Sequence, residues 1–274
     1  MLEPPVSTMA VLIAAFVVTH LVLASPPVRT MIVDRLGSVR HAVIVGISAW
    51  IGLGALLGYY GAHGSEGPPG FGLEGIAWVR WPALVAMVFG MVLMTAIVAP
   101  SGYLASSTVV FGRTTRPARG LEQITRHPFF VGLLLYCLGH VAVARHRIGV
   151  VLFAGFGVLA LVGAILQDRK LLAARGDSHA EFLRSTSLLP FVAILRGRQR
   201  LAWGELPWVF LGLGLAGAFG VRQLHGRGLD YAWLMVFGVL VVVPLWFGFK
   251  SAFAQHRGRS HARSSSSPHR DDRP

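Results

Sequence analysis

The chain has 274 residues, of which 54% are hydrophobic and only 14% charged, and its formal net charge is +13. Soluble domains carry about a quarter charged residues, and the apolar residues here arrive in blocks rather than amphipathic stripes, which excludes a soluble globular domain. The basic residues are interleaved with those blocks and form no basic domain, which excludes nucleic acid as a partner and points to anchoring at lipid headgroups.

Seven apolar stretches predict helices able to cross a hydrocarbon core of about 30 Å. They run over residues 7–25, 41–61, 81–99, 128–144, 148–167, 206–221 and 231–249. The flank of the first, MLEPP, has no positive charge and carries Glu3, so it reads as a retained span and not as a cleaved signal. The fourth ends at a tight turn through Arg145, His146 and Arg147 into the fifth. The sixth is rich in glycine. Between the fifth and sixth, Ser187–Leu195 is short and contains Pro190, so it reads as an interfacial or re-entrant piece. From about Gln255 the tail is polar and is expected to be disordered.

The expected fold is therefore an all-α, polytopic transmembrane helical bundle of about seven spans. Residues 1–195 form its motif-bearing membrane domain, 196–254 a two-span extension and 255–274 a basic tail. Twenty of the 25 Lys and Arg residues fall in loops on one side of this layout and five on the other. The positive-inside rule then puts the N-terminus outside and the C-terminus in the cytoplasm. The single cysteine, Cys137, lies in the fourth span, excludes an intramolecular disulfide and reads as packing.

Histidine is costly in hydrocarbon, so histidines within spans are candidate functional residues. Of the eleven, His63, His146, His179, His225, His256, His261 and His269 fall in loops, turns or the tail and read as solvated. His41 opens the second span at the membrane surface. His20 lies five residues before the inner end of the first span, about 7 Å below it. His127 stands at the inner entrance to the fourth span, and His140 is 13 residues, or about 20 Å, further along. His20 and His127 thus share a depth, as two axial ligands of one iron would. Each of the three could equally hydrogen-bond a carbonyl inside the bundle.

Arg126-His127-Pro128 also has a local reading. Proline suits the first turn of a helix, whose N-terminus carries unpaired N–H groups and partial positive charge. With Arg113, Arg116 and Arg119 on the same side, this end suits an anionic group: a haem propionate, a carboxylate or a phosphate. Plain positive-inside anchoring accounts for the arginines as well. Asp168 and Glu181, 13 residues apart beyond the fifth span, read as ordinary surface ion pairs or as substrate contacts.

Taken together, several motifs resemble the NnrU family of bacterial membrane proteins, which includes plastid and cyanobacterial 15-cis-zeta-carotene isomerases. They are Thr19-His20-Leu21, Arg29, Leu36-Gly37, Ile124-Thr125-Arg126-His127-Pro128, Gly132, His140, Asp168-Arg169 and Thr186-Ser187-Leu188-Leu189-Pro190-Phe191. They span roughly residues 10 to 195. Arg-His-Pro followed by Gly is also shared with membrane methyltransferases of the isoprenylcysteine carboxyl type, whereas His20, His140 and the TSLLPF run favour NnrU. The resemblance implies a helical bundle and, from the isomerase branch, haem b held by histidines and driving cis–trans isomerisation of a polyene. Bacterial members are linked to nitrogen-oxide metabolism and denitrification. Residue by residue, His20 and His127 become the expected axial ligands, His140 a reserve and Arg126 part of the cofactor site. Two other readings stand beside it: a methyltransferase using S-adenosylmethionine, and a non-catalytic accessory protein of a redox complex.

Overall fold

A computed structural model describes residues 3–95 and 117–225. Residues up to Gln223 form one compact unit and 224–274 a second, of which only Leu224 and His225 are described. Among the described residues the chain is helical, with one isolated bridge between Pro69 and His146 and no strand.

Helix α1 covers Pro4–Ala24, with prolines in its first turn where a missing N–H costs nothing. It stops at Ser25 because a residue before proline is pushed out of the helical region. The first loop holds a helix that the periodicity reading did not contain, α2 over Pro26–Leu36, closed by Gly37 at φ +86°. Helix α3 spans Ser38–His63 and α4 Ala77–Met94. Next come α5 over Pro128–Val143 and α6 over Arg147–Arg175, joined by the expected tight turn. Three shorter pieces follow α6: α7 over Asp177–Ser185, α8 over Val192–Leu195 and α9 over Trp208–Leu224.

Four of these helices are long and apolar enough to cross a membrane: Pro4–Ala24, Val39–His63, Ala77–Met94 and Arg147–Arg175. Helix α5 is apolar but shorter. These match the first, second, third and fifth expected spans; the third is described to residue 95, and the seventh, 231–249, lies outside the described residues. Helix α6 has 29 residues, about 43 Å at 1.5 Å per residue. A 30 Å core takes about 20 of them, so the end beyond residue 167 extends past it.

Three helices, α1, α3 and α6, share a core of Val6, Met9, Ile13, Leu56, Ile148 and Leu152. Helices α4 and α5 meet almost backbone to backbone. A Cβ on Gly132 would lie 2.5 Å from the Gly90 carbonyl oxygen and 3.0 Å from the Met94 nitrogen. One on Gly139 would lie 2.5 Å from Met87 Cγ and 2.7 Å from the Ala83 oxygen. Small residues permit this approach, the usual currency of helix packing in lipid. Cys137 is buried between α5 and α6, as a packing residue should be.

At one end of the bundle, the 64–76 loop docks on the α5–α6 turn. Gly70 and Gly72 donate N–H groups to the Arg145 and Ala144 carbonyls at 2.7 and 2.9 Å, and Arg147 donates to Pro68 at 2.9 Å. The other end carries the polar cluster described next.

Candidate functional site

Six buried polar side chains are found among the described residues: Glu122, Gln123, Thr125, His127, His179 and Thr186. All lie in two segments, 122–127 before α5 and 179–186 on and after α7. Burying a polar group costs free energy unless it finds partners, so such concentration at one end of an apolar bundle marks a built site.

The backbone joins the two segments. Arg126 N–H donates to the Ser187 carbonyl and Phe191 N–H to that of Ile124, each at 2.9 Å. The Thr125 hydroxyl donates to the Leu188 carbonyl at 2.7 Å. Phe191 accepts a left-handed conformation, φ +63°, unusual without glycine. Its bond to Ile124 and its stacking on Phe89, ring centroids 5.9 Å apart, hold it there. The two motifs of the family resemblance, ITRHP and TSLLPF, are thus hydrogen-bonded neighbours.

Helix α6 supplies the centre of the cluster. Asp168 Oδ2 accepts from Arg126 Nε at 2.8 Å, and Oδ1 lies 2.7 Å from His127 Nε2. The carboxylate is 14% exposed, Arg126 19% and His127 4%. The place beside the start of α5 that suited an anion is therefore taken by the chain's own carboxylate. Of the arginines expected around it, Arg113 and Arg116 lie outside the described residues, and Arg119 is exposed. Glu181 behaves as an ordinary surface residue, paired at 2.7 Å with Arg184, both well exposed.

His179 corrects the reading of it as a solvated loop histidine. It sits in α7, 1% exposed, stacked on Phe182 at 5.6 Å, with Nε2 3.7 Å from Asp168 Oδ1. Neither ring nitrogen has a hydrogen-bond partner among the described residues. Burial pushes its pKa below the ordinary value; Arg175 and His127 push the same way, and Asp168 opposes them. The signal was in the sequence: His179, Phe182 and Thr186 recur at helical spacing, three then four residues apart, and all three are buried. It was masked because α7 is only nine residues long and otherwise polar.

The remaining candidates sit elsewhere. His20 on α1 is half-buried, its ring 5.8 Å from Phe16, which meets Phe156 of α6 edge-on at 5.7 Å. His140 lies between Tyr136 and Phe153, ring centroids 4.2 and 4.3 Å away, with Nδ1 2.9 Å from the Tyr136 carbonyl oxygen. His140 thus lies against Phe153 and His127 against Asp168, 15 residues or about 22 Å apart along α6. His41 Nε2 lies 3.1 Å from the Leu23 carbonyl oxygen, bridging α3 to the end of α1. No group of three or more His, Cys, Asp or Glu among the described residues is arranged to hold a metal ion.

Sequence reasoning also missed a clasp behind the site. Gln123 Nε2 donates to Glu205 Oε2 at 3.1 Å, and Ala202 N–H donates to Gln123 Oε1 at 2.8 Å. Residues 201–206 are thereby tied to the 120–123 turn, and Leu206 joins a core with Leu93, Leu121, Ile124 and Val131.

Fold and site together define an all-helical protein with apolar helices of membrane-spanning length and a buried histidine–carboxylate–arginine cluster at one end. The chain belongs to the NnrU protein family, whose model matches residues 8–252. The match runs beyond residue 195, where the motifs quoted above end. Among curated proteins, a chloroplastic 15-cis-zeta-carotene isomerase from Zea mays is 33% identical over 111 residues, 38% of this chain and 30% of that protein. One from Arabidopsis thaliana is 28% identical over 210 residues, 72% of this chain and 53% of that protein. The chain thus spans about half or less of the length of these relatives. No solved structure matches it.

Proposed function

We propose that this chain is an integral membrane protein that binds haem b through intramembrane histidines and isomerises a polyene lipid. The names of the plant relatives favour a polyene over a nitrogen oxide as substrate. His20 and His127 are the expected ligands, with His140 the alternative on α5. The single observation that carries the reading is the 2.7 Å contact between His127 and Asp168. Ligating histidines characteristically give their second ring N–H to a carboxylate or a backbone carbonyl. His127 has the first kind of partner, on Nε2, which leaves Nδ1 for a metal; His140 has the second, on Nδ1 through the Tyr136 carbonyl, which leaves Nε2, the nitrogen histidine ordinarily gives to a haem iron. When bound, haem would supply a redox-active iron beside an apolar substrate. The apolar helices tune that iron and admit an apolar substrate. Arg126 fixes Asp168, and Asp168 fixes His127. The distribution of Lys and Arg favours an orientation with this end in the cytoplasm of a bacterial inner membrane.

The test is an absorption spectrum of protein expressed with haem supplied, oxidised and dithionite-reduced. The reading expects a Soret band with sharp reduced bands, lost in His20→Ala and His127→Ala and retained in His140→Ala. Loss in His140→Ala with retention in His127→Ala would reassign the α5 ligand. A featureless spectrum from folded protein overturns haem binding and directs attention to S-adenosylmethionine binding. Chromatography of a cis-polyene incubated with the loaded protein then tests isomerisation directly.

A further inference from the structure

Asp168 is shared unequally among three cationic or potentially cationic groups. Arg126 Nε donates to one oxygen at 2.8 Å. His127 Nε2 lies 2.7 Å from the other, and His179 Nε2 is 3.7 Å from that same oxygen, too far for a hydrogen bond. Arg126 has only donors, so Oδ2 accepts from it, and as the carboxylate of this ion pair Asp168 can only accept at Oδ1 as well. A 2.7 Å contact therefore requires that Nε2 of His127 carry a proton.

We propose that Asp168 is a positioning residue that holds a proton of His127 on Nε2, so that Nδ1 is the nitrogen His127 presents to any ligand. Surface histidines exchange freely between two neutral forms; here the partner on the other ring nitrogen chooses one. His179 does not compete for the oxygen at its present distance, and Arg126 holds the carboxylate by its far oxygen so that the near one faces His127. Asp168 and Arg126 would then account for two members of the family-like motifs by one function. The tautomer stands on the observed contacts alone. The consequence for an iron ligand rests on the proposed haem binding.

The substitution that tests this is Asp168→Asn. Arg126 has only donors, so the new amide must turn its carbonyl towards Arg126 and its NH2 towards His127. His127 Nε2 must then accept, and the proton moves to Nδ1. The same inversion explains why replacing the aspartate of a catalytic triad by asparagine leaves the geometry intact yet yields the wrong tautomer. Nitrogen-15 NMR of histidine-labelled protein in detergent at pH 8, with His127→Gln assigning the signal, reads this directly. The expected result is a ring protonated on Nε2 alone in the native chain, protonated on Nδ1 in Asp168→Asn, and protonated on Nε2 in Arg126→Gln, where Asp168 remains. A native ring protonated on Nδ1 or on both nitrogens overturns the proposal, as does an unchanged tautomer in folded Asp168→Asn. If that variant does not fold, the native spectrum alone still decides. A native chain with the expected tautomer but no haem spectrum would sink the haem reading and leave this one standing.

Discussion

Gly132 stands where α4 and α5 touch, and replacing it with alanine adds a single methyl group to that contact. The new Cβ would lie 2.5 Å from the Gly90 carbonyl oxygen, 2.9 Å from Leu93 Cβ and 3.0 Å from the Met94 nitrogen. Unstrained heavy-atom contacts lie near 3.5 Å, so the two helices must part by about 1 Å. None of the three atoms is the end of a flexible side chain, so rotamer changes cannot relieve the clash. Overpacking a tight interface costs about 1–3 kcal/mol, and three rigid contacts place this case near the upper end. Alanine returns about 1 kcal/mol of helix propensity, leaving a net loss of about 2 kcal/mol. Gly46→Ala on α3 is the control, because a Cβ there meets nothing within 4 Å; it should be neutral or gain up to about 1 kcal/mol. Thermal or SDS-driven unfolding in a fixed detergent should separate the two variants by about 2–3 kcal/mol. Since Gly90 and Gly132 face each other, Gly90→Ala with Gly132→Ala should cost less than their sum, the first displacement making room for the second. Equal stability of Gly132→Ala and Gly46→Ala would refute the seam as described.

Other consequences can be checked on the same preparations. His179 stacks on Phe182 with no hydrogen-bond partner for its ring among the described residues. His179→Phe should therefore be neutral or stabilising by about 1 kcal/mol, because it removes a desolvation cost that only the 3.7 Å approach to Asp168 offsets; a loss above about 2 kcal/mol would mean the ring is satisfied. The same histidine predicts a pH dependence. Its folded pKa lies below the ordinary value because of burial, so the unfolded chain binds a proton before the folded one does. Stability is full above the unfolded value of about 6.5 and falls as pH drops below it. A melting series from pH 7.5 to 5 should show that slope in the native chain and a smaller one in His179→Phe. Gln123→Ala removes the bond to Ala202 and the one to Glu205, at a cost of about 1–3 kcal/mol. It should expose residues 196–206 to limited proteolysis well before the rest of the unit opens, and unchanged cleavage there would argue against the clasp.

The sequence by itself determined the class of the molecule and the approximate places of its helices. Apolar blocks of about 20 residues cross lipid as helices, whose backbone groups all bond within the segment. Proline and glycine positions such as Pro4, Pro26, Gly37 and Pro128 set helix ends through local sterics alone. Motif spacing also singled out His127 and Arg126. Only the tertiary structure decided what those two residues do. The bonds from Asp168 to Arg126 and His127 join residues 42 and 41 positions apart in the chain, and they form because α5 and α6 run antiparallel from the tight turn at 144–147. No local pattern encodes that meeting. His179 was misjudged for the same reason: a short polar helix reads as surface until α6 is packed beside it. Gly132 could be noticed in the sequence, but its importance comes from Gly90 on the opposing helix, and a close approach between two backbones belongs to neither segment alone.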